Sequence, residues 1–369
     1  MNREPGATAA GRARTERANR AEPHQLTGCP SNQEVMDSLL VRAARGERTE
    51  RPPVWLMRQA GRHIPEYREL RAEYSFLEVI NSPEIAAEIS LLPWEYYRPD
   101  GVVMFSDILT VLEPLGFDYH IESGVGPVVE NPVSGPDDVD RHHDDVTREL
   151  EYVGALLDSL VERVGEETAV IGFAGGPFTL ASYAVAGEPS RTHMPLRRLR
   201  ARHPGAFRTL LRSFADVTRA YLQFQVDSGA DVVQLFDTYA SALTPTDYRE
   251  FLLPLHREIL GSVDVPTIVF VRRMNGRLDL LAESGADVVG LDWCVDIGRA
   301  REQLDGPVQG NLDPSYLYGD PAFVRERTRE VIKRAGPTGH ILNLGHGVDR
   351  DTPVESVRAF VETAKTHEW

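Results

Sequence analysis

Eight short apolar runs recur along the chain, and they restrict its fold more than any other feature. They are Val54–Met57, Val102–Phe105, Val170–Phe173, Val232–Phe236, Thr267–Val271, Val288–Leu291, Val308–Gly310 and Ile341–Leu344. Most are continuous rather than alternating, the pattern of strands buried on both faces. Between them lie stretches of helical period: Pro83–Tyr97, Thr147–Val164, Ala206–Asp227, Tyr248–Ser262, Gly276–Ser284, Ala322–Arg334 and Val354–Lys365. Eight strands alternating with helices predict an α/β fold, a single parallel (β/α)8 barrel. The gap after the second run is long. Phe117–Ile121 and Pro127–Val129 predict a small hairpin inserted in it. No internal repeat and no second domain is visible.

A chain of 369 residues, 41% of them apolar, can bury a core of this kind. The barrel is expected over residues 35–369, starting with an amphipathic stretch from Val35 to Arg45. Residues 1–34 are rich in Arg, Ala, Glu, Asn and Gly and have no apolar period. They are expected to form a disordered extension.

The C-terminal end of each run opens into polar or glycine-rich chain: MRQAGR, FSD, FAGGPFT, LFDT, VRRMNG, LDW, QGNLDP and NLGHG. The N-terminal ends carry ordinary turn chemistry. In a (β/α)8 barrel the chemistry sits on the loops after the strands, so the asymmetry predicts one active-site face there.

Composition removes several classes of function. The formal charge of -16 argues against a general nucleic-acid surface. Lys333 and Lys365 are the only lysines, and neither is placed for a Schiff-base or pyridoxal mechanism. There is no Gly-x-x-x-x-Gly-Lys loop and no H-E-x-x-H. Cys29 and Cys294 are the only cysteines, too few for a disulfide framework or a Cys-rich zinc site. His142 and His143 lie in an aspartate run, DDVDRHHDD, which reads as a solvated loop rather than a metal site. No apolar run approaches a membrane span and no secretory segment is evident, so a soluble, cytoplasmic protein is expected. No cofactor and no metal are expected either. The chemistry must come from arginines, carboxylates, a tyrosine, a histidine and backbone dipoles.

The acidic chain nevertheless gathers Arg58, Arg62, Arg68 and Arg71 directly after its first strand. Arg58 and Arg62 are four apart and share a face if that segment is helical. Guanidiniums crowded into a cleft call for anions, which points to a ligand with several carboxylates or phosphates held by paired hydrogen bonds. The alternative is pairing with the barrel's own carboxylates. Asp107, in VVMFSDIL, is a lone carboxylate amid apolar residues. It reads either as a helix N-cap or as the acceptor and charge stabiliser of a bound substrate. Tyr183, about two turns into the helix opened by GFAGGPFTLASY, points either to the barrel mouth or into packing. His346 in NLGHGV suits proton transfer or anion binding.

These residues together resemble a known family. PVWLMRQAGRHIPEYRELR and GFAGGPFTLASYAVAG are similar to the two signature segments of the uroporphyrinogen decarboxylases. FSDIL, LFDT, VVGLDW, QGNLDP and NLGHGV match further blocks of that family in the same order. The resemblance spans about residues 36–365. It implies a (β/α)8 barrel that forms a homodimer with its active-site faces towards each other, without metal or organic cofactor. It implies an octacarboxylate tetrapyrrole substrate, uroporphyrinogen III, whose four acetates become methyls to give coproporphyrinogen III in haem biosynthesis.

Carried over by motif, Asp107 binds the pyrrole N–H groups and stabilises the cation formed when a ring carbon is protonated. Arg58 and Arg62 hold substrate carboxylates, and Arg58 is one candidate for proton delivery, through water or an apposed carboxylate. Tyr183 and His346 bind and orient carboxylates, Phe236 floors the macrocycle, and Gln59 and Ala60 supply backbone and shape contacts. Thr238 stands where a serine is common, which keeps a hydroxyl. VRRMNG replaces a lysine-containing segment, so Arg272, Arg273 or Asn275 alters a contact at the rim.

Two rivals differ in testable ways. A zinc-dependent, corrinoid-linked methyltransferase of the same barrel type needs a His-x-Cys pair after a late strand. Here the fifth strand ends in VRRMNG and Cys294 stands alone in LDWCVD. A non-catalytic tetrapyrrole carrier would keep the arginines and have no use for Asp107.

Overall fold

The computed structural model describes residues 37–122, 124–142 and 145–369. Residues 1–34, with Cys29, lie outside the described residues, as do Val35, Met36 and His143. The described chain is built on a seven-stranded parallel sheet. Its strands are β1 (Gly101–Val103), β4 (Ala169–Gly175), β5 (Val232–Phe236), β6 (Thr267–Phe270), β7 (Val288–Gly290), β8 (Val308–Gln309) and β9 (His340–Ile341). They pair in that order, so every neighbour is the next strand of the barrel in sequence. The hairpin predicted after the second run is present as β2 (Tyr119–Glu122) and β3 (Gly126–Val129), paired antiparallel.

The first apolar run is not a regular strand. Segment 53–57 makes a single parallel bridge, Val54 with Leu342. Its backbone nonetheless reaches both ends of the sheet. The Leu342 amide donates to Pro53 O at 2.8 Å, and the Asp100 amide donates to Val54 O at 2.8 Å. Side chains supply the remaining ties. Asp100 accepts the Val54 amide at 2.8 Å and a forked pair from Arg51 at 2.7 and 2.8 Å. The Gln59 side chain accepts from Leu56 N (3.1 Å) and donates to Gly101 O (3.0 Å). Buried backbone groups must find partners, and here side chains take the place of a ladder. Segment 53–57 is therefore the eighth stave that closes the curled sheet.

Inside the barrel Trp55, Ile171, Val232, Ile268, Phe270, Val288 and Ile341 form one apolar cluster, with Leu40, Val41, Ala43 and Ala44 of the Leu39–Ala44 helix packed beneath. A buried polar chain crosses the interior: Trp55 Nε1 donates to Gln309 Oε1 (2.9 Å), and Gln309 Nε2 to Gln234 Oε1 (3.0 Å). Most outer helices bury one stripe, whereas Pro177–Ala186 is buried all round as far as Ala184. Pro83–Tyr97 and Val354–Lys365 keep the predicted bounds. The stretch expected as one helix over 147–164 divides into Val146–Glu149 and Glu151–Val164. The stretch expected over 248–262 opens as a π-helical turn, Tyr248–Leu252, before Leu253–Leu260.

Candidate active site

The loops after the strands do gather on one face, and the barrel's closure brings the first and last of them together. Asn343 Oδ1 accepts from Met57 N (3.0 Å) and Leu344 N (2.8 Å). The Val348 amide donates to Met57 O at 2.9 Å. Arg58 sits at this junction with φ 58, a left-handed conformation that costs a non-glycine residue about 1 kcal/mol. Both neighbouring glycines are explained by it. A Cβ on Gly61 would lie 2.7 Å from Arg58 O, and one on Gly347 2.4 Å from Arg58 Cδ.

This conformation corrects one expectation. Arg58 and Arg62 do not share a helical face, because Arg58 turns the chain and the helix begins only at Pro65. Arg58 influences the ionisation of Asp107, Tyr183 and His346. Arg62 instead lines an outer pocket of about 290 Å³ with Tyr67, Arg68, Arg71, Arg350 and Asp351. Neither Arg58 nor Arg62 forms an ion pair among the described residues, so the barrel's own carboxylates do not neutralise them.

Asp107 is not a helix N-cap. Its Oδ1 accepts from Leu109 N at 2.8 Å, closing a local Asx turn ahead of the 3₁₀ turn Thr110–Leu115. Its second oxygen has no hydrogen bond among the described residues. Burial raises its pKa, against the Leu109 amide and the Arg58 charge, which lower it.

Tyr183 is buried, and its hydroxyl meets that of Tyr239 at 3.1 Å. The Tyr183 phenol is pushed well up, by burial first and by Tyr239 and Asp107 next. His346 is pushed down to about 3 by burial, then by Arg58 and Arg272, so its ring is neutral at ordinary pH. Phe236 packs between Phe173 and Phe270, with ring centroids at 5.7 and 5.9 Å. The Thr238 carbonyl accepts the Arg272 amide at 3.3 Å. Ala60 is buried. The Gln59 side chain is committed to closing the barrel and its amide to Leu56 O, so neither is free for a ligand.

One buried network was not foreseen in the sequence. The Pro177–Ala186 helix starts at Gly176, which has no side chain to cap it. Asp237, fully buried on the next loop, supplies the acceptor. It accepts from Thr179 N (2.7 Å), Thr179 Oγ1 (2.8 Å), Phe178 N (3.3 Å) and His256 Nε2 (2.9 Å). A carboxylate can only accept, so Nε2 carries the proton, and Nδ1 of a neutral ring accepts from the Tyr248 hydroxyl at 3.0 Å. A Cβ on Gly176 would lie 2.3 Å from Asp237 Cβ. Gly176 leaves the space that Asp237 occupies, while Gly175 admits Ile108 O and the Leu180 side chain. The same helix carries Tyr183, and Thr179 Oγ1 also accepts from Tyr239 N at 3.1 Å. The cap thus holds both tyrosines in place.

The family model for uroporphyrinogen decarboxylase matches residues 36–367. The chain belongs to the uroporphyrinogen decarboxylase family. Relatives of that name agree over nearly their whole length. The one from Gloeobacter violaceus is 45% identical over 340 residues, 90% of this chain and 98% of its own. The one from Nostoc punctiforme is 44% identical over 335 residues, 88% and 95% of the two chains. As a member of the uroporphyrinogen decarboxylase family the chain is a carboxy-lyase of tetrapyrrole biosynthesis, removing carbon dioxide from uroporphyrinogen. Solved structures carry the fold further. A methyltransferase from Methanosarcina mazei aligns with TM-score 0.77 at 18% identity, over 89% of this chain and 99% of its own. A B12-independent methionine synthase from Shewanella aligns with TM-score 0.57 at 13% identity, over 89% and 98%. Those likenesses concern the barrel and its decoration alone. Among the described residues no three His, Cys, Asp or Glu side chains gather as a metal ion would require, and no helix is long and apolar enough to cross a membrane.

Proposed function

We propose that Asp107 steadies the positive charge that each decarboxylation creates on a pyrrole, while Arg58 and Arg62 grip other carboxylates of the macrocycle. The observation that carries this reading is the state of Asp107: a half-buried carboxylate, one of its oxygens without a hydrogen bond among the described residues, within electrostatic reach of Arg58, which has no ion pair among them. In each step a pyrrole ring carbon takes a proton and the ring becomes cationic. The bond from the acetate CH2 to its carboxylate then breaks, carbon dioxide leaves, and the electron pair neutralises the ring. A proton at the exposed methylene and loss of the ring-carbon proton complete a methyl group, so one proton is consumed per carbon dioxide released. An anion that is poorly solvated beforehand interacts strongly with the cation of that transition state and needs no reorganisation when it forms.

Arg58 also relays the proton, through water or an apposed substrate carboxylate, because a guanidinium is too weak an acid for direct donation. Tyr183 and His346 orient carboxylates. His346 does so as a neutral hydrogen-bond donor until an anion arrives. Phe236 floors the ring system, Thr238 offers its hydroxyl, Ala60 gives the cradle its shape, and Gln59 does so indirectly by holding the segment that carries Arg58. We read the substrate as the III isomer and the product as coproporphyrinogen III. We read the working protein as a cytoplasmic homodimer with its active-site faces opposed.

The test is anaerobic incubation with uroporphyrinogen, followed by separation of the oxidised products by carboxylate number. Wild type should reach four carboxylates. Asp107→Ala should leave the substrate with eight while its denaturation curve stays close to wild type. Turnover by Asp107→Ala at more than about a hundredth of the wild-type rate, a loss of under about 2.7 kcal/mol of transition-state stabilisation, would sink the assignment.

A further inference from the structure

We propose that Arg272 is a further substrate-binding residue, holding a carboxylate of the macrocycle that is not the one being lost. The inference rests on the reading above.

Arg272 stands where four of the active-site loops meet. Its own loop follows β6, and its amide donates to Thr238 O, on the loop after β5, at 3.3 Å. Its guanidinium lies over the Trp293 ring, on the loop after β7, at 5.2 Å from the centroid. Trp293 in turn meets His346, on the loop after β9, edge to face at 6.2 Å. The last two loops are pressed together so closely that a Cβ on Gly345 would lie 2.2 Å from Trp293 N. Stacking on an indole fixes the plane of a guanidinium and leaves its N–H fork free to bind.

The fork has nothing to bind among the described residues. Arg272 makes no ion pair among the described residues, and its Nε is buried with no hydrogen-bond partner. Asp292, the carboxylate of the adjoining loop, is buried and committed to the Arg273 and Cys294 amides. The terminal N–H groups of Arg272 are not enclosed and also have no hydrogen-bond partner among the described residues, so they remain for a bound carboxylate to pair with. Trp293 remains 36% exposed despite its size, so the shelf faces open space. After burial, Arg58 and Arg272 together push the His346 ring down, so a second cation without an ion pair among the described residues lies near the same ring.

The chemistry decides which carboxylate Arg272 takes. Pairing with the departing carboxylate would stabilise a charge that must vanish as carbon dioxide forms, and would raise the barrier. A carboxylate that persists in the product gives binding without that penalty. Arg272 should therefore grip substrate and product alike.

Arg272→Met and Arg272→Lys separate the alternatives. The probe is coproporphyrinogen, bound at equilibrium under reducing conditions. Uroporphyrinogen turnover and denaturant midpoints are measured beside it. Arg272→Met should weaken coproporphyrinogen binding at least about ten-fold, the factor equivalent to 1.4 kcal/mol. KM for uroporphyrinogen should rise by a larger factor than kcat falls, and Arg272→Lys should recover part of the loss. Unchanged binding by Arg272→Met would overturn the inference, whatever happens to its stability, because stacking on Trp293 would then be the residue's whole role. A rise in kcat in Arg272→Met would overturn it too, by assigning the residue to the departing carboxylate. Wild type that binds coproporphyrinogen but releases no carbon dioxide refutes the proposed mechanism instead, and the binding comparison still decides the role of Arg272.

Discussion

Replacing Asp237 by alanine should be among the most damaging single changes to this barrel. Its carboxylate takes four hydrogen bonds at 2.7 to 3.3 Å, and every group involved is buried. Removing it leaves the Phe178 and Thr179 amides, the first donors of a helix, without acceptors. It also leaves the His256 N–H facing an apolar hole. The Thr179 hydroxyl can rotate, so it contributes least. Leaving a buried donor unpaired costs about 1–3 kcal/mol, and with the two amides and the His256 N–H all orphaned a loss of about 3–5 kcal/mol is expected, a large share of the roughly 5–15 kcal/mol that keeps a domain folded. Asp237→Asn keeps the shape but turns an amide N–H2 towards one set of donors, so about half that loss is expected. Equilibrium urea unfolding of the three proteins measures this directly. The function should follow, since Tyr183 and Tyr239 are both held through Thr179: Asp237→Asn should bind the macrocycle less tightly than its residual stability alone would require. The reasoning fails if Asp237→Ala unfolds within about 1 kcal/mol of wild type, or if Asp237→Asn equals wild type. Either result would mean that solvent replaces the carboxylate at little cost.

Two more predictions test other parts of the site. Gly347→Ala puts a methyl 2.4 Å from Arg58 Cδ; the side chain can swing away, so stability should change by less than about 1 kcal/mol, while KM for uroporphyrinogen should rise about ten-fold. Acid should destabilise the fold through its buried histidines. His63 and His340 are both pushed down to about 4, chiefly by burial, and His346 to about 3. Below the ordinary histidine value near 6.5 the unfolded chain takes up protons that the folded chain refuses, so stability falls as pH drops from 6.5 towards 4, by about 1.4 kcal/mol per unit for each such group. His340→Gln, which can still donate to Gly310 O, should flatten the slope by about one proton in urea titrations at pH 7, 6 and 5; an unchanged slope would show that His340 ionises freely in the folded state.

The sequence carried the barrel because its periodic signals are local. Val232–Phe236 keeps the predicted bounds, and the strands from β4 onward fall within three residues of expectation. Segment 53–57 looked like an ordinary strand because its apolar run is as continuous as the others. Its pairing through Asp100, Gln59 and Arg51 is a matter of side chains, which hydropathy does not register. The helices Pro65–Glu73, Phe76–Ile80 and Met194–Arg202 went unread; the first and last are dominated by charge and show little apolar stripe. At the site, motif and chemistry marked Asp107, Arg58 and His346. Asp237 lay inside the motif LFDT yet drew no notice, because its partners Phe178 and Thr179 are 59 and 58 residues away. The double glycine was a signal, since it advertises room for something, but the sequence does not say what fills it. Arg272 stood out only as an oddity at the rim until Trp293 and His346 were placed around it.

The stave held by borrowed side chains has a bearing on how variants of this enzyme should be interpreted. The residues that fasten it lead straight into Arg58, so the hoop and the proposed grip are one length of chain. A lesion at Asp100 or Gln59 would loosen the cylinder first and be recorded as poor affinity. Any attempt to retune the mouth for a different acid must therefore re-tie that join before a change in preference can be credited to the pocket.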